Sequence, residues 1–171
     1  MTLRAEGSGQ HMMGSASSRL NSKRALATFL CGYVVINILS TVTTLVIAAI
    51  LHVNLSGHSV NIHNHAVVVA ERYYPLLNLL VWLAASWLYF RHPTPGEIDT
   101  SEALRLGLLW LALGLIFNEM LFVLIDTPYS FTAHDWYIGQ FPWIYVTYLL
   151  VFLCPVIYTM GVNRNDRATQ P

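Results

Sequence analysis

Four long apolar segments, separated by short polar stretches, constrain what this chain can fold into more than any other feature. A helix that crosses a bilayer needs about 20 mostly apolar residues. Segments of that kind lie at about residues 27–51, 70–90, 103–125 and 141–162. Backbone groups in lipid must be hydrogen-bonded within the protein, which favours helices. We therefore predict an all-α integral membrane protein, built as a four-helix bundle with short connections.

The composition supports the same class. Charged residues make up 11% of the 171 residues and apolar residues 55%, whereas a soluble domain carries roughly 25% charged residues. So little charge cannot cover a water-facing surface. The nine basic and nine acidic residues give zero formal net charge, which argues against a nucleic-acid partner. Two cysteines, Cys31 and Cys154, are too few for a disulfide framework.

The basic residues predict how the spans are oriented. Arg72 alone lies at the outer side, near the start of the second span, whereas the other eight basic residues fall on the opposite side: Arg4, Arg19, Lys23, Arg24, Arg91, Arg105, Arg164 and Arg167. The positive-inside rule then places both termini in the cytoplasm, with the protein in the cell or inner membrane. Residues 1–24 are predicted to be a disordered N-terminal tail, 25–162 the four-span domain, and 163–171 a cytoplasmic C-terminal tail.

Aromatic residues mark the predicted outer surface of the membrane. Trp136, Tyr137, Phe141 and Trp143 crowd the connection before the fourth span. Such side chains favour the level of the lipid headgroups. We therefore expect the segment 126–140 to lie on the interface or dip into it.

Small and polar residues predict which helix faces touch, because lipid supplies no hydrophobic drive between helices. One such stripe recurs in each span: Asn37, Thr41, Thr44 and Ala48; Asn78, Trp82, Ala85 and Tyr89; Gly107, Leu111, Gly114 and Asn118; and Tyr145, Tyr148, Phe152, Pro155 and Thr159. Four spans enclose little space, so we also expect a homo-oligomer or a membrane partner protein. The face of Gly107 and Gly114 is the candidate contact.

Polar and ionisable residues within the spans are the candidates for function, because charge in hydrocarbon is costly. Those in the predicted outer half of the membrane come from the second and third spans. They predict a polar cluster, open to the outside, that binds or relays a small ion. Its candidate residues are Glu119, Asp126, Glu71, Arg72, Asn78 and Asn118.

Three interpretations of Glu119 stay open at this point. An ion pair with Arg72, or a hydrogen bond to an asparagine, would neutralise the cost of burial and define the helix register. A proton relay or a cation site would use the charge directly. Catalysis by the carboxyl group is the third.

The connection between the first and second spans is rich in histidine. His58, His63 and His65, with Glu71, form a candidate metal site for zinc or copper, because both metals bind neutral imidazole well. Their spacing matches no established metal signature. A pH response or plain solvated side chains are the alternatives. No other cofactor is identified.

The predicted function is that of a small polytopic membrane protein, oligomeric or partner-bound, whose outer-half polar cluster binds or relays a small ion. The first alternative is a membrane-embedded metal-dependent enzyme that uses Glu119, Glu71 and the loop histidines, so enzymatic activity is left open. The second is a structural or immunity-type membrane subunit without chemistry. Common nucleotide-binding, zinc-protease, serine-hydrolase and EF-hand motifs are missing from the sequence.

Overall fold

The computed structural model describes residues 20–53, 64–91, 99–125 and 132–168. Within these ranges every regular element is helical, and no strand occurs, which confirms the all-α prediction. Two of the elements are π-helical segments, Glu119–Leu124 and Asp135–Gly139, and the first of them continues the fourth α-helix. The α-helices are α1 (Ser22–Ile50), α2 (His65–Glu71), α3 (Tyr74–Phe90), α4 (Thr100–Asn118) and α5 (Trp143–Ala168).

Three stretches of helix are long and apolar enough to cross a membrane. They are Ser22–Ile50, Thr100–Leu124 and Trp143–Arg164. Helices α2 and α3 together pass the same test, but they are bent by 45° where they meet. The structure therefore has the three or four candidate spans that a membrane protein of this kind requires.

The break between α2 and α3 has a local cause. Pro75 lies in the first turn of α3. A proline has no backbone N–H, and its ring clashes with the carbonyl group four residues earlier. That earlier residue is Glu71, where α2 ends. The predicted second span, 70–90, is therefore not one continuous helix.

Helix α5 packs against α3 and α4, and α1 packs against α3 and α2. Large aromatic rings fill the space between α1, α3 and α4. Phe29 stacks on Trp82 at 5.6 Å between ring centroids, and Trp82 meets Trp110 at 5.3 Å. All three side chains are fully buried. The indole N–H of Trp110 also donates to the carbonyl oxygen of Ala25 at 3.0 Å.

The predicted contact face of α1 is confirmed at two of its four members: Ala48 is buried, and the Thr44 hydroxyl is hydrogen-bonded to the Tyr74 hydroxyl of α3 at 2.7 Å. The other buried residues of α1 lie outside the predicted stripe: Ala25, Thr28, Phe29, Gly32, Tyr33 and Ile36. Asn37 and Thr41 instead donate to carbonyl oxygens four residues earlier in the same helix, at 2.8 and 2.9 Å. Such back-bonding satisfies a polar side chain without a neighbouring helix.

The predicted stripe of α3 is confirmed, since Asn78, Trp82, Ala85 and Tyr89 are all buried. In α4, Gly107 lies against the backbone of Phe152 in α5. Gly107 is therefore used for packing within one chain, and it is not on a surface that a second copy can reach. That part of the predicted oligomer contact is wrong.

Candidate functional site

A chain of hydrogen bonds joins three helices and a π-helical segment at Asn118, the last residue of α4. The hydroxyl of Tyr33 in α1 donates to Asn118 Oδ1 at 2.7 Å, and Asn118 Nδ2 donates to the hydroxyl oxygen of Tyr148 in α5 at 3.1 Å. The indole N–H of Trp136 donates to the same oxygen at 3.3 Å. We call these four residues the Asn118 network. One side-chain amide thus ties α1 to α5 through α4.

Replacing Asn118 with Ala should lower the free energy of unfolding by about 2 kcal/mol. Two interhelical hydrogen bonds are lost, and such bonds in membrane proteins average about 0.6 kcal/mol with a maximum near 1.7. Unfolding can be followed in detergent by the reaction of a thiol dye with Cys154, which is fully buried. The exposed Cys31 is first replaced with Ser.

The matched control for this prediction is Asn37→Ala. The side chain of Asn37 donates to the carbonyl oxygen of Tyr33 in its own helix and joins no second helix. The Asn37→Ala substitution should therefore change the free energy of unfolding much less than Asn118→Ala does. Equal effects of the two substitutions would show that the Asn118 network does not hold the helices together.

Glu119 follows Asn118 directly and begins the π-helical segment Glu119–Leu124. Successive residues of a helix point about 100° apart, so the side chains of Glu119 and Asn118 leave the helix in different directions. The Tyr137 hydroxyl donates to Glu119 Oε2 at 2.6 Å. This bond to a carboxylate raises the pKa of the Tyr137 hydroxyl above its ordinary value, so the hydroxyl stays a donor. Short π-helical segments occur often at functional sites.

The Glu119 carboxylate lies in the wall of an open groove of about 570 Å³. Tyr137 lines the groove with Glu119, and the rest of the wall is aliphatic: Leu115, Ile116, Met120 and Leu124. These four side chains are exposed, so the groove faces away from the packed helices. No cationic side chain of the described residues lines it. We call this surface the Glu119 groove.

Glu119 and Arg72 are not paired in the part of the chain that the structure describes. Arg72 is exposed at the end of α2, and Tyr137 takes the place of a cationic partner for Glu119. The ion-pair contact found among the described residues is His134 Nδ1 to Asp135 Oδ1 at 3.8 Å, on the surface. Among the described residues, Glu119 therefore has a hydrogen-bond donor and no cationic partner.

Neither Asn78 nor Glu71 is hydrogen-bonded to Glu119 or Tyr137 in the described part of the chain. Asn78 donates to the carbonyl oxygen of Tyr74 at 2.9 Å and accepts from the indole N–H of Trp82 at 3.0 Å, so its amide is satisfied within α3. Glu71 is only 6% exposed and makes no hydrogen bond or ion pair with the described residues. Asp126 lies outside the described residues.

The predicted metal site is described only in part. His58 and His63 lie outside the described residues, while His65 is exposed at the start of α2 and Glu71 is buried at its end. Within the described ranges, no group of three or more His, Cys, Asp or Glu side chains is placed to hold a metal. Zinc or copper binding stays a prediction.

The tyrosines that complete the site were not among the predicted site residues, although Tyr148 belongs to the predicted contact stripe of the fourth span. Tyr33 and Tyr148 lie within spans, where a hydroxyl needs a hydrogen-bond partner, and that need is the signal that could have found them. Tyr137 was predicted at the interface, but no spacing in the sequence relates it to Glu119, 18 residues earlier.

No protein-family model matches the chain, and comparisons with curated proteins and with solved structures find no significant similarity. What the site can do therefore follows from its own chemistry. The Glu119 carboxylate presents oxygen atoms, which are the ligands that protons and hard cations prefer.

Proposed function

We propose that this protein is a four-span membrane protein with both termini in the cytoplasm, in the cell or inner membrane. In this arrangement α2 and α3 together make the second span. The placement of eight of the nine basic residues on one side supports this orientation. The packing of α5 on α3 and α4, and of α1 on α3, supports a four-helix bundle. Its exposed apolar side chains, such as Ile38 and Leu45 of α1, then face lipid, a second copy or a partner protein.

We further propose that Glu119 binds a proton or a small cation in the outer half of the membrane. The observation that carries this proposal is the pairing of Glu119 with the neutral Tyr137 hydroxyl, at 2.6 Å, in a groove without a cationic side chain among the described residues. A hydrogen bond stabilises a carboxylate but does not compensate its charge in an apolar setting. A proton or a cation supplies that compensation.

The two halves of the site have different roles in this proposal. The Asn118 network positions the end of α4 against α1 and α5, so the first residue of the π-helical segment has a defined place. Tyr137 holds one carboxylate oxygen from the segment that precedes α5. The other oxygen, Oε1, accepts no hydrogen bond from the described residues and is open to the ligand.

Infrared difference spectroscopy of the protein in membranes tests this proposal. Acidification should produce a band of protonated carboxyl groups, and Glu119→Gln should remove the component that belongs to Glu119. If a cation competes for the site, added sodium or potassium should shift the pH at which this component appears. The shift should be missing in the Glu119→Gln variant.

Glu102→Gln is the matched control for this measurement. Glu102 lies near the start of the same helix, α4, and accepts a hydrogen bond from Tyr89 at 2.8 Å. Glutamine can accept the same bond, so this variant should fold and keep the Glu119 component. A spectrum that is unchanged by Glu119→Gln would overturn the proposal.

A further inference from the structure

We propose that the Glu119 groove binds a membrane lipid whose headgroup carries a primary ammonium group, as in phosphatidylethanolamine. This inference rests on the proposed function, because the same carboxylate is the binding group. In this inference the cation that meets Glu119 is the headgroup of a larger, amphiphilic ligand. The acyl chain would lie along the aliphatic wall, and the ammonium group would meet Glu119.

The lining of the groove fits an acyl chain better than an isolated ion. The groove is shallow and open along most of its surface, so it suits a ligand that lies along the helix. Four of its lining residues are aliphatic, and the polar atoms in its wall come from Glu119 and Tyr137. An amphiphile matches this division into an apolar wall and one charged point.

Charge and hydrogen bonding select the headgroup. Glu119 Oε2 accepts from Tyr137, whereas Oε1 accepts nothing from the described residues. A primary ammonium group carries a positive charge and three N–H donors. A charge-assisted bond to the open oxygen is stronger than a neutral one. Choline has the charge but no N–H, and glycerol has hydroxyl donors but no positive charge.

The depth of Glu119 allows a headgroup to reach it. Glu119 lies five residues before Leu124, where the π-helical segment ends, which is at most about 8 Å along the axis at the 1.5 Å per residue of an α-helix. Tyr137 reaches the carboxylate from the segment 132–140, which is predicted to lie at the membrane interface. The zone of polar headgroups is itself several Å thick on each side of the bilayer. An ammonium group drawn inwards by one carboxylate can therefore span the distance.

Native mass spectrometry of the full-length protein in detergent tests the inference with three lipids of identical acyl chains. The probes are phosphatidylethanolamine, phosphatidylcholine and phosphatidylglycerol. Phosphatidylethanolamine should bind at least about tenfold more tightly than the other two, a ratio that corresponds to one charge-assisted contact. Glu119→Gln should abolish this preference. Tyr137→Phe should keep it, because the carboxylate remains and loses only its neutral donor.

Three results would each overturn the inference. The first is equal binding of all three lipids by the unmodified protein, and the second is equal binding of the ethanolamine and choline lipids. The third is a preference for phosphatidylethanolamine that survives Glu119→Gln. Glu102→Gln controls for the loss of a carboxyl group and should leave the preference unchanged, and dye reaction with Cys154 confirms that each variant is folded. The infrared measurement made in membranes of phosphatidylglycerol alone tests the proposed function separately, since no ammonium lipid is present there.

Discussion

Replacing Gly107 with Val should lower the free energy of unfolding by about 3 kcal/mol, at the upper end of what overpacking costs. A Cβ atom added to Gly107 would overlap the backbone carbonyl oxygen of Phe152 in α5 and would press on the Phe152 ring at 3.2 Å. The backbone of a packed helix cannot move aside as the end of a flexible side chain can. Helices α4 and α5 must therefore separate, although their close packing is one of the main contacts of the fold.

The measurement is detergent unfolding followed by the reaction of Cys154, which is buried in α5, with a thiol dye. Gly114→Val is the matched control on the same helix. A Cβ at Gly114 meets no atom within 4 Å among the described residues, so the substitution has room. Both changes replace a helical glycine with the same residue, so the difference between them isolates the contact with α5. A Gly107 variant as stable as the Gly114 variant would show that α4 and α5 are not in close contact.

The positions of the spans could be predicted from the sequence because lipid imposes one strong requirement on every spanning segment. Three of the predicted spans correspond to single stretches of helix, whereas the second is broken. Pro75 was present in that predicted span, and its effect on the carbonyl group of Glu71 could also have been read from the sequence. A hydropathy pattern records apolarity and does not record whether the hydrogen bonds of a helix can continue.

Contact faces were only partly predictable. The stripe of α3 is buried as predicted, because Trp82 and Tyr89 are large side chains that pack against other helices. The stripe of α1 failed at Asn37 and Thr41, which bond to their own helix. Thr44 of the same stripe does reach another helix, at Tyr74 of α3. A polar side chain in a span needs a hydrogen bond, and the sequence does not say whether that bond stays within the helix or crosses to another.

The candidate site was also only partly predictable from the sequence. Asn118 and Glu119 could be selected from the sequence, because polar groups are rare in the middle of spans. Their partners could not be selected, since Tyr33 and Asn118 are 85 residues apart and meet only through the alignment of α1 with α4. Arg72 was one candidate partner of Glu119, chosen for its charge, yet the donor in the structure is the neutral hydroxyl of Tyr137.

Replacing Trp82 with Ala should also lower the free energy of unfolding by about 3 kcal/mol. Such truncations cost about 3 to 5 kcal/mol in soluble cores. In a bilayer the unfolded side chain stays in apolar surroundings, so the cost comes from the cavity and the lost contacts. Trp82 is 2% exposed, lies between Phe29 and Trp110, and donates to Asn78. Its removal leaves a cavity where α1, α3 and α4 meet.

Trp87→Ala is the matched control, because Trp87 is in the same helix but is 51% exposed. Its ring lies 5.6 Å from the Arg91 guanidinium carbon, a contact worth about 0.5 to 1 kcal/mol at an exposed site. Trp82→Phe separates the loss of ring packing from the loss of the hydrogen bond to Asn78, since it retains a ring but leaves Asn78 Oδ1 without its donor. We expect it to fall between Trp82→Ala and the unmodified protein. Equal losses for Trp82→Ala and Trp87→Ala would mean that helix α3 does not place Trp82 in the core, and the packing that positions Asn118 beside Tyr33 would then be wrong as well.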